Sequence, residues 1–127
     1  MNGTTSAKLT GMSPQFLVAD LDRSIGFYTG RLGFDLDFRY EDFYAGIVRD
    51  GHSIHLKLAD APHGEREFRL ENEHLDITFT VDDIRTAYKD AQSKSVPFTQ
   101  PLREMPYGHE FYVTDPDGYI LAFVETK

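Results

Sequence analysis

Apolar and polar positions alternate along this chain in one order, and that order occurs twice. In the first copy Phe16 and Val18 fall on one side of an expected strand over about 9–19, with Gln15 and Leu17 on the other. Asp20-Leu21-Asp22 follows as an acidic cap. Ile25, Tyr28 and Leu32 then recur at three- and four-residue spacing as far as Gly33, which predicts a helix with a glycine stop. Residues 34–40 alternate as a strand, and 44–48 and 52–58 predict two more around Asp50-Gly51, a strong hairpin signal.

The second copy keeps the order. Leu75, Ile77, Phe79 and Val81 are the apolar side of a strand over 75–81, Asp82-Asp83 is the cap, and Ile84, Ala87, Tyr88 and Ala91 mark a helix to about residue 93. A short strand over 96–100 leads into an expected loop containing Pro101, Met105, Pro106, Tyr107 and Gly108. Strands over 110–114 and 119–125 flank the turn Asp115-Pro116-Asp117-Gly118. Phe16 to Leu21 and Phe79 to Ile84 align position for position, 63 residues apart, and Asp50-Gly51 recurs 67 residues on as Asp117-Gly118. Each half reads βαβββ. The expected fold is therefore α+β, two βαβββ modules forming a curved sheet around a cavity. Module 1 covers about 8–58, a charged linker 59–73, and module 2 about 74–125, all in a single domain. Duplicated halves pack by pseudo-twofold symmetry, so equivalent positions of the two are where a ligand site is sought.

Composition narrows the function classes. A chain of 127 residues supports one hydrophobic core. A net charge of −8 argues against nucleic acid, which needs clustered Lys and Arg, and suits a cationic guest as well as plain solubility. With no cysteine there is no disulfide, thiolate nucleophile or thiolate metal site. The small polar N-terminus carries no apolar signal core and no run approaches the about 20 residues of a membrane span. The expected location is the cytoplasm, with no membrane partner. Phosphate-cradling glycine loops, a serine elbow and a helical His-Glu-x-x-His are all absent from the sequence.

Alternation then sorts the polar candidates. With Ile77, Phe79 and Val81 facing the helix, Asp76, Thr78 and Thr80 face the concave side, and the repeat carries this onto Ser13, Gln15 and Leu17. Ile54, Leu56 and Leu58 form a core row, so Ser53, His55 and Lys57 face inward, with Ala122 equivalent to His55. An inward carboxylate such as Asp76 needs a compensating partner, for which His55, a neighbouring Arg or Lys, or water would serve. His55 itself reads equally as a side chain hydrogen-bonded across its own sheet. The expected ligand contacts are His55, Asp76, Thr78 and Gln15, with Tyr40, Tyr44 and Phe111 as aromatic walls. Flat rings over a planar or cationic guest contribute on the order of 0.5–2 kcal/mol each.

The segment Val18-Ala19-Asp20-Leu21-Asp22-Arg23-Ser24-Ile25-Gly26-Phe27-Tyr28 with Leu32-Gly33-Phe34, and the closing Tyr112-Val113-Thr114-Asp115-Pro116-Asp117-Gly118-Tyr119-Ile120-Leu121, resemble the vicinal oxygen chelate superfamily of glyoxalases, bleomycin-resistance proteins and dioxygenases. The resemblance spans about residues 9–125. It implies metal ligands on the first and last strands of each module, positions held here by Ser13, His55, Asp76 and Ala122. Only His55 and Asp76 of these are metal donors, against the about three that a catalytic site supplies. The resemblance therefore points to the metal-free, bleomycin-resistance-like branch: a homodimer that sequesters a small molecule, with no catalytic residue and no cofactor. Two alternatives stay open, a metal-dependent lyase, isomerase, transferase or dioxygenase with a divergent ligand set including His55 and Asp76, and a metal-free enzyme with His55 as general base. The modules pair within one chain or swap between two; the sequence permits either.

Overall fold

The computed structural model describes residues 7–59, 71 and 74–127. Among the described residues two four-stranded mixed sheets are each accompanied by one helix of ten or eleven residues. In chain order the elements are β1 (Gln15–Val18), α1 (Leu21–Arg31), β2 (Asp35–Tyr40), β3 (Tyr44–Arg49), β4 (His52–Leu58), β5 (Ile77–Thr80), α2 (Ile84–Ser93), β6 (Phe98–Met105), β7 (Gly108–Thr114) and β8 (Ile120–Thr126). Sheet A has the order β1-β4-β3-β2 and sheet B the order β5-β8-β7-β6, so the duplicated sequence yields a duplicated topology with a parallel first-to-last strand pair in each half. Among the described residues the two sheets remain separate and do not close into a barrel. Except for Ala59 and Glu71, the expected linker 59–73 lies outside the described residues.

Local chemistry explains the boundaries. Asp20 and Asp83 sit in extended conformation before their helices and accept from the backbone N–H groups of Arg23 and Thr86, satisfying donors that a first turn leaves unpaired. Gly33 ends the first helical segment at φ 75°, in the left-handed region where a side chain is disfavoured. Asp50 and Gly51 both have positive φ, 50° and 81°, as a two-residue hairpin with right-handed strand twist requires.

Two expectations are corrected. The first strand is four residues long rather than eleven, because Pro14 offers its carbonyl to His55 N–H (2.8 Å) but has no N–H to extend a ladder. The loop expected after residue 100 is the second half of an eight-residue strand. Pro101 is accommodated where the β6–β7 register slips between Gln100 and Arg103, on an edge strand.

The helix-facing rows of the two sheets share one core. Phe16, Val18, Ala45, Ile47, Ile54 and Leu56 of sheet A belong to the same buried cluster as Phe111, Val113, Leu121 and Phe123 of sheet B, with Leu21, Tyr28, Ile84 and Ala91 from the helices. A separate cluster of Tyr112, Ile120, Ala122 and Val124 lies on the opposite face of sheet B.

The turn before β8 latches the modules together. Asp117 accepts from Ala19 N–H (2.9 Å), Arg23 (3.2 Å) and the Ser24 hydroxyl (3.2 Å), while Tyr28 donates to the buried Asp115 carboxylate at 2.7 Å. Burial pushes the Asp115 carboxyl up from 3.8 to about 6, against the pull of the Tyr28 hydroxyl and the Tyr119 and Asp117 N–H groups. Burial and that same carboxylate hold the Tyr28 phenol well above its ordinary value. Tyr119 stacks on Phe16 at 4.3 Å, and its hydroxyl both accepts from Leu17 N–H and donates to Leu17 C=O, each at 2.9 Å.

Candidate functional site

The exposed face of sheet A carries an aromatic and polar platform. Strand pairing aligns Gln15 with His55, His55 with Gly46, and Gly46 with Phe38, so four neighbouring strands present these positions side by side. Gly46 matters because of what it lacks: a Cβ there would fall 2.2 Å from the Phe38 ring, which lies over the glycine. From that position Phe38 stacks on Tyr44 (6.1 Å) and meets His55 edge-on (5.3 Å). The Tyr44 hydroxyl donates to Gln15 Oε1 at 3.1 Å and lies 2.9 Å from His55 Nδ1. Tyr40, with 59% of its surface exposed, and Phe43 form an edge-to-face pair at the end of the same hairpin.

Of the expected contacts, Gln15, Tyr44 and His55 thus come together, and Tyr40 borders them. His55 is held across its own sheet by Tyr44, the plainer of its two readings, yet it stays half-exposed beside the rings. Thr78 and Asp76 lie in the other module. Thr78 is exposed on β5 beside Ala122, and Asp76 caps the last strand by accepting from Ile120 N–H at 2.8 Å.

Phe111 is not a wall. It is fully buried between Tyr88, Phe98 and Phe123, at 5.0–5.7 Å between ring centroids, because it shares its face of β7 with Val113 in the common core. Its neighbours Glu110 and Tyr112 take the opposite face.

That face holds a polar network absent from the expected site. Glu110 Oε2 accepts from Arg103 Nη2 (2.6 Å), Arg103 Nε (2.8 Å) and the Tyr112 hydroxyl (3.1 Å), and Oε1 accepts from Tyr107. Arg103 reaches Gln100 Oε1 at 3.0 Å and lies over the Tyr112 ring at 5.4 Å. Burial pushes Glu110 up, but the hydrogen bonds from Tyr107, Arg103 and Tyr112 prevail and hold it below its ordinary 4.5. The Glu110 hydrogen bond, with burial, carries the Tyr107 phenol up to about 12. Strict alternation through Glu110-Phe111-Tyr112-Val113 was the signal that could have separated this pair from the core pair.

The four positions of the implied metal set do not make a donor shell. The Ser13 hydroxyl is hydrogen-bonded to that of Ser53, Ala122 offers no donor, Asp76 is engaged by a backbone amide, and His55 Nδ1 is engaged by Tyr44. Among the described residues no three His, Asp or Glu side chains gather around one point.

The family model described as the Glyoxalase/Bleomycin resistance protein/Dioxygenase superfamily matches residues 13–123. The chain belongs to this superfamily. A curated relative in it, the probable lactoylglutathione lyase of Vibrio parahaemolyticus, is 27% identical over 119 residues, covering 87% of this chain and 86% of its own length. Among solved structures, TioX from Micromonospora sp. ML1 superposes with a TM-score of 0.75 at 17% identity, covering 93% of this chain and 99% of its own. The bleomycin-binding protein of bleomycin-producing Streptomyces verticillus, solved with copper(II)-bleomycin, superposes with a TM-score of 0.71 at 21% identity over 96% of this chain and 100% of its own. These likenesses confirm the α+β fold of two βαβββ modules expected from the duplicated pattern and the glyoxalase/bleomycin-resistance type that the resemblance implied. No helix among the described residues is long and apolar enough to cross a membrane.

Proposed function

We propose that this superfamily member binds a small organic molecule on the platform of Gln15, Phe38, Tyr44 and His55, without a metal ion and without chemical turnover, as a drug- or antibiotic-sequestering protein. The observation that carries this reading is the Phe38 ring lying over a bare Gly46 beside Tyr44 and His55, an aromatic surface left partly open to solvent. Aromatic rings with a few convergent polar groups are the usual make-up of small-molecule sites. Leu17, Phe38, Tyr40 and Phe43 leave sheet A with an exposed apolar margin, and in this reading a second copy of the chain covers it to form a homodimer with the guest at the interface. The net charge of −8 favours a cationic guest.

The test is a thermal-shift titration of the chelator-treated protein with bleomycin as probe, with and without copper(II). A ligand that binds only the folded state raises the midpoint in proportion to RT ln(1 + [L]/Kd). The shift is expected without added metal, and is lost in Tyr44→Ala and Phe38→Ala but kept in Lys89→Ala. Because the spectrum of cationic guests is open, the same titration is run with other planar cations; protection by none of them refutes the reading.

The likeness to lactoylglutathione lyases supports a second reading, a metal-dependent lyase with an unusual ligand set. Formation or breakdown of lactoylglutathione on addition of a divalent metal, abolished in His55→Ala, would favour it over sequestration.

A further inference from the structure

The two modules share a topology but not the way their closing hairpin meets the partner module. In one junction the turn at Asp117-Gly118-Tyr119 is locked against β1 and α1: Asp117 holds Ala19, Arg23 and Ser24, and Tyr119 stacks on Phe16 and clasps Leu17. The repeat assigns each partner a counterpart. Asp50-Gly51-His52 corresponds to Asp117-Gly118-Tyr119, while Thr80, Asp82, Thr86, Ala87 and Ala91 correspond to Leu17, Ala19, Arg23, Ser24 and Tyr28. Where the first junction is filled, the second is hollow.

That hollow has a volume of about 400 Å³, within the size range of small-molecule sites. Its floor is the rings of Phe34, Phe79 and Phe123. Its two walls are the β3–β4 hairpin, with Arg49, Asp50 and His52, and the segment from the end of β5 through α2 as far as Asp90, including Asp82 and Ala87. A smaller hollow of about 160 Å³ adjoins it through Arg49, Ala87, Asp90 and Phe123, reaching Ala91 beneath the helix. The sequence cause is plain. Ala91 stands where the other half has Tyr28, Ala87 where it has Ser24, and His52 where it has the Tyr119 ring. Two phenols that fill one junction have been replaced by a methyl group and an exposed imidazole.

We propose that this hollow is a second binding site, separate from the sheet A platform, which takes an arylalkylammonium compound: an aromatic ring on the three phenylalanines and a cationic nitrogen at the acidic rim. The ring takes the place that an internal tyrosine has in the other half. Three of the rim carboxylates, Asp50, Asp82 and Asp90, approach from both walls. Asp83 is occupied as the cap of α2. Arg49 is the one guanidinium in the lining; it is committed to Leu32 C=O at 2.8 Å and lies 3.7 Å from Asp50, while Asp82 and Asp90 have no cation partner among the described residues. An ammonium group therefore meets uncompensated negative charge, and a carboxylate guest would be repelled.

The experiment is ligand-observed NMR and thermal-shift titration with phenethylamine, beside its neutral analogue 2-phenylethanol and its anionic analogue 3-phenylpropionate. Phenethylamine is expected to bind, the neutral alcohol more weakly and the acid least. Asp82→Asn with Asp90→Asn, both surface changes, should weaken phenethylamine roughly threefold to tenfold, since exposed charge pairs are individually modest. Ala87→Phe should raise the midpoint of the free protein by filling the hollow while abolishing the phenethylamine response; Tyr44→Ala should leave that response intact. Equal binding of the three probes, undiminished binding in Ala87→Phe, or loss of binding in Tyr44→Ala would each overturn the proposal. Failure of bleomycin to bind leaves this site standing, and failure of phenethylamine leaves the platform standing.

Discussion

Replacing Tyr28 by Phe removes one oxygen atom and tests how the modules are held together. The hydroxyl donates at 2.7 Å to Asp115, a buried carboxylate whose other contacts include the N–H groups of Asp117 and Tyr119. A hydrogen bond to a charged buried acceptor is worth roughly 1.5–3 kcal/mol, and its loss strands part of that acceptor's demand. The cost must depend on pH. Asp115 has its folded value raised from 3.8 to about 6, so its contribution to stability is fully present below 3.8 and is lost as pH rises through 6. A displacement of this size corresponds to roughly 3 kcal/mol in all, lost between well below 3.8 and pH 8. Without Tyr28 the carboxylate is held less well, the folded value rises further, and the variant suffers more at pH 8 than at pH 5. Urea unfolding at the two pH values should show a loss of about 2 kcal/mol at pH 8 and roughly half that at pH 5, the larger loss lowering the melting midpoint by about 6–10 °C for a domain of this size. In an Asp115→Asn background the pH dependence should vanish. A loss below about 0.5 kcal/mol at pH 8, or one equal at both pH values, would refute the latch.

Other expectations follow from the same geometry. Gly46→Ala forces the Phe38 ring off its seat; folding should be nearly unaffected because the ring can swing into solvent, while the bleomycin-induced thermal shift is lost, and a variant that binds like the parent would contradict the platform. Glu110→Gln removes a carboxylate held below its ordinary 4.5, whose stabilisation is present above that value and is lost as pH falls through the lower folded one. The variant should be less stable at pH 7 by about 1–3 kcal/mol in chemical unfolding and converge on the parent once the pH has fallen below the lowered folded value. Asp20→Ala and Asp83→Ala each remove a helix cap and should cost about 0.5–2 kcal/mol, measured in the same way.

Local rules carried much of the fold. Asp50-Gly51 read as a hairpin turn and has the positive φ pair that such a turn needs, and Asp20 and Asp83 read as caps and accept from the first helical turn. The parity of Ile54 and Leu56 against His55 was legible because one face of the strand is buried and the other is not. β6 was harder, since its register slips break the period-two signal and Pro101 mimics a loop. The site was legible only on the side where alternation was clean. Gln15, Tyr44 and His55 meet as the pattern implied, whereas Phe111 was misplaced because aromatic character outweighed its shared parity with Val113. The roles of Phe38, Glu110 and Arg103 depend on a bare glycine and on pairing across strands, and Asp115 and Asp117 act on residues some 90 positions away. Such long-range pairs leave no periodic trace.

The central claim is guest binding by organic side chains alone, and calorimetry of the protein before and after exhaustive chelation tests it most directly. Titrated with bleomycin, both preparations should give the same affinity and the same stoichiometry, with no metal in the parent protein by elemental analysis. Binding or turnover that appears only when one equivalent of a divalent metal is restored would contradict it.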